Sequence, residues 1–173
     1  MGRVLSDFYN VDFINIDGNY IHRTAVIYDN VKLGTGNWIG AYTVIGSNGE
    51  IRGKDPKSFK GTVHIGNNNI ISEHVTIQRP FDFRTTYIGD NNLIMAHSHV
   101  GHDVKILDNC EICTGVIIGG YTVIESGVKI KLGATLRNRL KIGSNALIGL
   151  GSTVVKDVAK DSVVYGNPAK PRT

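Results

Sequence analysis

The sequence predicts an all-β protein, a parallel β-helix in which short strands wind into stacked triangular coils. Glycine is abundant, at 21 of 173 residues, whereas proline occurs only 4 times. With many Ile and Val, this composition favours turn-rich β structure. Twelve aliphatic residues also recur at every sixth position from Ile88 to Val154. A period of six matches neither an α-helix nor an open strand, but it does match a short strand followed by a turn.

The six-residue period starts well before Ile88 and is interrupted twice. An earlier run comprises Ile21, Ile27, Leu33, Ile39, Ile45 and Ile51, and a shorter one comprises Ile65, Ile71 and Ile77. The 21 units give about seven coils of 18 residues each. Residues four positions after each aliphatic are mostly small, so we expect the first and fifth positions of a unit to fill the interior.

We predict a single domain with capped ends and two protruding loops. The predicted N-terminal cap is 1–20, the coils run over 21–158 with loops at 52–62 and 78–87, and 159–173 forms a C-terminal cap segment. Caps are expected because a stacked array otherwise exposes its core and a free strand edge. The first loop is basic, and long loops in compact domains are usually functional.

Composition argues against several classes of protein. The net charge of +4 is spread along the chain, without the basic stripe or aromatic platform that nucleic-acid binding needs. No apolar run approaches the roughly 20 residues of a membrane span, so we expect a cytoplasmic protein. Cys110 and Cys113 are the only cysteines. No second Cys/His pair at ligand spacing accompanies them, so we interpret them as ordinary thiols.

The strongest candidate for chemistry is the stretch LIMAHSHVGHDVKI at 93–106, which holds His97, His99 and His102, three of the six histidines. His102 is the third residue of its unit and is expected to point outward, next to Asp103. Such a histidine can act as a general base near neutral pH, and a carboxylate can fix its tautomer. Two other interpretations stay open: an ordinary surface histidine beside an aspartate, or a metal site formed by the three histidines.

The hexapeptide pattern over about 21–158 resembles that of the left-handed parallel β-helix acyltransferases. This resemblance implies the left hand, a homotrimer, and active sites between subunits. The runs HIGNNNIISEHVTIQR, YIGDNNLIM and LIMAHSHVGHDVKI are similar to the UDP-N-acetylglucosamine O-acyltransferases of lipid A biosynthesis. The C-terminal helical domain of that family is expected to be missing.

The resemblance also implies residue roles. His102 would be the general base, Asp103 would orient it, and Gly120, one coil later, would supply an oxyanion-binding N–H. The implied substrate contacts are His99, Tyr121, Asp55, Lys57 and Asn167. Tyr121 stands where the family has a histidine, and LRNRL at 136–140 lacks the family's later histidine. These departures point to the same chemistry on a related acceptor or with a different acyl chain.

The expected activity is acyl transfer from a thioester, either acyl carrier protein or acyl-CoA, to a hydroxyl or amine of a nucleotide-linked sugar such as UDP-N-acetylglucosamine. No bound cofactor or metal is expected. One alternative is an acetyl-CoA-dependent sugar O- or N-acetyltransferase of the same fold. Another is a zinc protein resembling β-helical carbonic anhydrases, although the histidine spacing fits that family poorly. A non-catalytic solenoid is disfavoured, because the chain has no flat Thr-rich face.

Overall fold

The computed structural model describes residues 12–81 and 84–172 and confirms the predicted parallel β-helix. Its strands form three sheets of 10, 7 and 6 strands. In chain order the strands are β1 (Phe13–Ile16), β2 (Asn19–His22), β3 (Val26–Ile27), β4 (Val31–Leu33), β5 (Trp38–Ile39), β6 (Val44–Ser47), β7 (Thr62–Ile65), β8 (Ile70–Ile71), β9 (Thr76–Gln78), β10 (Thr85–Ile88), β11 (Leu93–Ile94), β12 (His99–Val100), β13 (Lys105–Ile106), β14 (Glu111–Ile112), β15 (Ile117–Ile118), β16 (Val123–Ile124), β17 (Lys129–Ile130), β18 (Thr135–Leu136), β19 (Lys141–Ile142), β20 (Leu147–Ile148), β21 (Thr153–Val154), β22 (Val163–Gly166) and β23 (Ala169–Pro171).

Consecutive strands lie on different faces of a triangular coil. The first face is β2-β5-β8-β11-β14-β17-β20-β22, the second is β3-β6-β9-β12-β15-β18-β21, and the third is β4-β7-β10-β13-β16-β19. Each strand pairs in parallel with the strand one coil later, so that Ile94 lies opposite Ile112 and Ile112 opposite Ile130. The repeated aliphatic residues consequently stack inside the helix, and most of them are fully buried.

Antiparallel strands cover both ends of the first face. At one end β1 pairs with β2, and at the other β23 pairs with β22. Pairing removes free backbone donors and acceptors from the sheet edge, which would otherwise invite association with another chain. Residues 1–11 of the predicted N-terminal cap lie outside the described residues.

One predicted repeat position is wrong. Ile51 continues the six-residue spacing but belongs to no strand, and Leu33 pairs with Ile65 instead. The chain leaves the coil early because Gly46 has a φ of 93°, and the strand register shifts between Ile45 and Ser47. The first loop therefore spans 48–61, with a short 3₁₀ helix at Pro56–Ser58.

The second loop is shorter than predicted, at 79–84. Gln78 still pairs with β6, and Thr85 already pairs with Thr62, so both ends of the predicted loop belong to the ladder. Residues 82 and 83 are not described. No helix in the described part of the chain has the length and apolar character needed to cross a membrane.

Candidate active site

The candidate site lies at the corner where the second face turns into the third. Turns at 101–103, 119–121 and 137–139 stack there in successive coils, each between a second-face strand and a third-face strand. Loops 48–61 and 79–84 leave the coil at the same corner, because each also connects these two faces. We call these turns and loops together the histidine corner.

His102 and Asp103 form a buried hydrogen-bonded pair at this corner. The Nδ1 of His102 lies 2.9 Å from Oδ2 of Asp103, and their side chains are 14% and 4% exposed. Asp103 has a φ of 59°, and its N–H donates to Thr86 Oγ1 at 3.0 Å. Its Oδ2 also accepts the Phe81 N–H at 3.1 Å. Since Nδ1 is engaged, Nε2 is the nitrogen left to accept a proton.

The His102 side chain is wedged between two glycines. A Cβ at Gly120 would lie 2.8 Å from both Cε1 and Nε2 of His102, and a Cβ at Gly49 would lie 2.9 Å from His102 Cβ. The Gly49 position would also approach Phe59 Cε1 at 2.8 Å, so the first loop packs against the imidazole. The His102 N–H donates to Gln78 Oε1 at 3.2 Å. These contacts leave the ring little freedom.

The backbone N–H of Gly120 has no hydrogen-bond acceptor within the described residues. Within 12–81 and 84–172 it donates no hydrogen bond, whereas the N–H groups on either side donate to Leu136 and His102 carbonyls. The described structure therefore places an unused backbone donor next to the candidate base. An N–H group in this position can stabilise negative charge that develops on an attacked carbonyl.

His99 lies on the second face, close to His102. Its Nδ1 is 2.7 Å from Thr76 Oγ1. Burial lowers the pKa of His99, and the positive form of His102 lowers it further, against an opposing effect of Glu50 from the first loop. A lowered pKa keeps His99 neutral at neutral pH, which suits a hydrogen-bonding role toward a substrate.

Tyr121 contacts the same imidazole from the next coil. Its ring is perpendicular to that of His102, with 4.9 Å between the ring centroids. The guanidinium groups of Arg139 and Arg84 lie 4.3 and 5.6 Å from the Tyr121 ring centroid. The structure therefore brings together five of the residues proposed from the sequence as site residues, namely His102, Asp103, Gly120, His99 and Tyr121.

The remaining predicted substrate residues lie farther out. Asp55 and Lys57 are exposed in the first loop, where Asp55 Oδ1 accepts the Lys57 N–H at 2.8 Å. Asn167 is exposed between β22 and β23, four coils beyond His102. At about 4.8 Å per coil, this separation is about 19 Å along the helix axis. Within one chain, Asn167 therefore lies away from the histidine corner.

The three clustered histidines do not converge. His97 lies at the corner between the first and second faces, where its ring stacks on His74 with 4.8 Å between centroids. No group of three or more His, Cys, Asp or Glu side chains in the described part could hold a metal ion. Cys110 and Cys113 are free and buried, and burial raises the pKa of Cys110 to about 11.

Sequence reasoning missed most of the residues that surround His102, Asp103 and Tyr121. All of them lie in or beside the loops, or on the turn two coils beyond that of His102: Gly49, Phe59, Gln78, Phe81, Arg84, Thr86 and Arg139. The two interruptions of the six-residue period could have indicated these residues, since both occur before the histidine stretch and mark loops that leave the coil.

Comparison with known proteins agrees with the architecture. Residues 85–120 match the bacterial transferase hexapeptide (six repeats) family. The structure of the UDP-N-acetylglucosamine acyltransferase of Arabidopsis superposes with a TM-score of 0.78 at 28% sequence identity, covering 90% of this chain and 62% of that one. The chain therefore contains repeats that match this family over 85–120 and has the left-handed parallel β-helix fold.

The chain is also similar to acyl-[acyl-carrier-protein]–UDP-N-acetylglucosamine O-acyltransferases. The protein of that name from Gloeothece citriformis is 32% identical over 154 residues, which cover 86% of this chain and 53% of the relative. Its counterpart from Synechocystis sp. is 33% identical over 149 residues, with the same coverage. The chain thus spans about half the length of the curated relatives that it matches.

Proposed function

We propose that this chain catalyses transfer of an acyl group from a thioester to a hydroxyl or amine of a nucleotide-linked sugar such as UDP-N-acetylglucosamine. The observation that carries the proposal is the His102–Asp103 pair, with its free Nε2 next to the unused Gly120 N–H. A base and an oxyanion donor side by side are what direct acyl transfer requires. The relatives' names supply the acceptor and the thioester donor.

In the proposed reaction, Nε2 of His102 takes the proton of the acceptor group as its oxygen or nitrogen attacks the thioester carbonyl. Asp103 Oδ2 stabilises the imidazolium that forms. The Gly120 N–H binds the oxyanion of the tetrahedral intermediate. The intermediate then collapses, the carbon–sulfur bond breaks, and the departing thiolate receives the proton. No covalent acyl-enzyme and no metal or other cofactor is needed.

Other residues are proposed to hold the substrates. Neutral His99 and Tyr121 contact the sugar beside His102, and Asp55 and Lys57 approach it from the first loop. Asn167 is assigned to the nucleotide end of the acceptor. In its own chain Asn167 lies four coils from His102 along the axis. The resemblance implies a homotrimer, and we propose that a neighbouring subunit completes the cleft beside His102. The proposed donor is acyl carrier protein or acyl-CoA, and the proposed location is the cytoplasm.

A transfer assay with mass-spectrometric detection tests this proposal. UDP-N-acetylglucosamine would be offered with acyl carrier protein thioesters of several chain lengths, and separately with acetyl-CoA. Loss of a general base usually lowers turnover by about 10²–10⁴-fold, so His102→Ala should do so. His64→Ala, which changes an exposed histidine on the third face, should keep normal turnover.

Normal turnover by a folded His102→Ala protein would refute its role as the base. Transfer from acetyl-CoA alone would identify a sugar acetyltransferase instead. If the wild-type chain transfers no acyl group from any donor, the proposed activity is wrong.

A further inference from the structure

Two arginines converge on Tyr121 from separate elements of the histidine corner. Arg84 ends the second loop, and Arg139 lies on the turn two coils beyond that of Asp103. Their guanidinium carbons are 5.6 and 4.3 Å from the Tyr121 ring centroid. A guanidinium that lies over an aromatic ring keeps its N–H edges free to bind other groups.

Neither arginine has an acidic partner among residues 12–81 and 84–172. The ion pairs there join His102 to Asp103, Lys131 to Glu111, Lys141 to Glu125, and Lys160 to Asp161. Arg84 also lines a concave surface with Lys105 and Asp103, so that a third positive charge lies there beside the carboxylate that is hydrogen-bonded to His102. Like charges held close together repel each other unless an anion lies between them. Arginine pairs with a planar, bidentate geometry suit phosphoryl oxygens in particular.

The position of the arginines relative to His102 indicates which anion they receive. Asp103, Tyr121 and Arg139 occupy equivalent turn positions in three successive coils, each with φ near 60°. Arg139 therefore lies about 10 Å from Asp103 along the axis, at roughly 4.8 Å per coil. Tyr121 and Arg139 thus extend from His102 along the axis, on the side of the later coils.

We propose that Arg84 and Arg139 form a phosphoryl-binding subsite that holds the diphosphate of the nucleotide-linked acceptor, with Tyr121 as the platform that fixes both guanidinium groups. This subsite deepens the proposed function and rests on it. It assigns a function to Arg139, the second arginine of LRNRL at 136–140, and it makes the negatively charged diphosphate of the acceptor a determinant of specificity.

Isothermal titration calorimetry of the full-length protein tests the subsite without any turnover. The titrants are UDP-N-acetylglucosamine, UDP, inorganic pyrophosphate and coenzyme A. Arg84→Gln and Arg139→Gln should each weaken UDP binding by roughly 10- to 100-fold, the range expected for a lost hydrogen bond to a charged group. Lys160→Gln removes one positive charge at a different corner, where the side chain is 68% exposed, and should bind UDP as the wild type does. Circular dichroism of each variant checks that it is folded.

The arms of the titration separate the outcomes. If the arginine variants bind coenzyme A more weakly but bind UDP as the wild type does, the subsite binds the donor, and its assignment to the acceptor is wrong. Unchanged affinity for every titrant in both arginine variants, or no binding of UDP and pyrophosphate to the wild type, would overturn the subsite itself. If UDP binding depends on the arginines but the protein transfers no acyl group, the proposed function alone is refuted. If the protein transfers acyl groups but the arginine variants bind UDP as tightly as the wild type, the subsite alone is refuted.

Discussion

A glycine at position 120 is required by the close approach of His102 rather than by the φ of the turn. The φ of Gly120 lies outside the left-handed region, so alanine can adopt it, but its Cβ would lie 2.8 Å from Cε1 and Nε2 of His102 and 3.0 Å from the His102 backbone oxygen. We expect Gly120→Ala to displace the ring and lower turnover about 100-fold, because small misplacements of a reacting group have effects of that size. Steady-state kinetics of the transfer reaction measures this change.

A double-mutant cycle supplies the control for Gly120→Ala. If the substitution acts by displacing His102, it should have little further effect on the residual activity of His102→Ala, because the two sites are coupled. Independent, additive losses would show that Gly120 acts through another route. An unchanged melting temperature in Gly120→Ala would separate displacement of the ring from damage to the coil.

At the scale of single residues, the sequence could predict neighbours in the candidate site only where the six-residue period fixes their separation. His102 and Gly120 are 18 residues apart, one full coil, so the period alone placed them together. Gln78, whose amide accepts the His102 N–H, is 24 residues away. The second loop adds the extra residues, and no periodic rule gives the length of an insertion. The sequence therefore could not predict contacts between residues that are separated by a loop.

At the scale of one strand, the interior aliphatic ladder should dominate stability. Ile112 in β14 is fully buried between Ile94 and Ile130. Ile112→Ala should lower the free energy of unfolding by about 2–5 kcal/mol, since rigid coils above and below limit collapse of the cavity. Ile117, 47% exposed in the adjacent strand, gives a matched control, and Ile117→Ala should change stability by much less. Urea unfolding followed by circular dichroism measures both, and equal losses would contradict the ladder.

The same ladder contains a polar column that the pattern did not reveal. Asn37 and Asn69 occupy fifth positions, where small apolar residues were expected, and both are fully buried. Asn37 Nδ2 donates to Asn19 Oδ1 at 2.9 Å, and Asn69 Nδ2 donates to Asn37 Oδ1 at 3.0 Å. Buried amides persist when their donors and acceptors are matched. A hydropathy pattern records only the polarity of these residues, and pairing between coils becomes visible only in three dimensions.

Over the whole molecule, the outward side of the first face has an apolar column near the N-terminal end. Tyr20, Trp38, Ile70 and Leu93 lie opposite one another in successive strands, and Tyr20 and Ile70 are 53% and 48% exposed. The periodicity predicted that these residues point outward. In the described part of the chain the Phe13 ring packs against Trp38, with 4.9 Å between centroids, and Tyr20 and Ile70 stay exposed. A contiguous exposed apolar surface is typical of a protein–protein interface.

The predicted homotrimer gives this column a partner, and a charge in its centre tests that prediction. Size-exclusion chromatography with light scattering should give three times the mass of one chain for the wild type. Ile70→Glu should shift the protein toward the monomer, because a carboxylate buried against an apolar neighbour loses its hydration without compensation. Val26→Glu introduces the same charge at a second-face residue of nearly equal exposure, 49%, and should leave the trimer intact. A monomeric wild type would contradict the prediction. If the Ile70→Glu protein is still a trimer, the subunits associate through another face. That face of the neighbouring subunit would then have to complete the cleft beside His102.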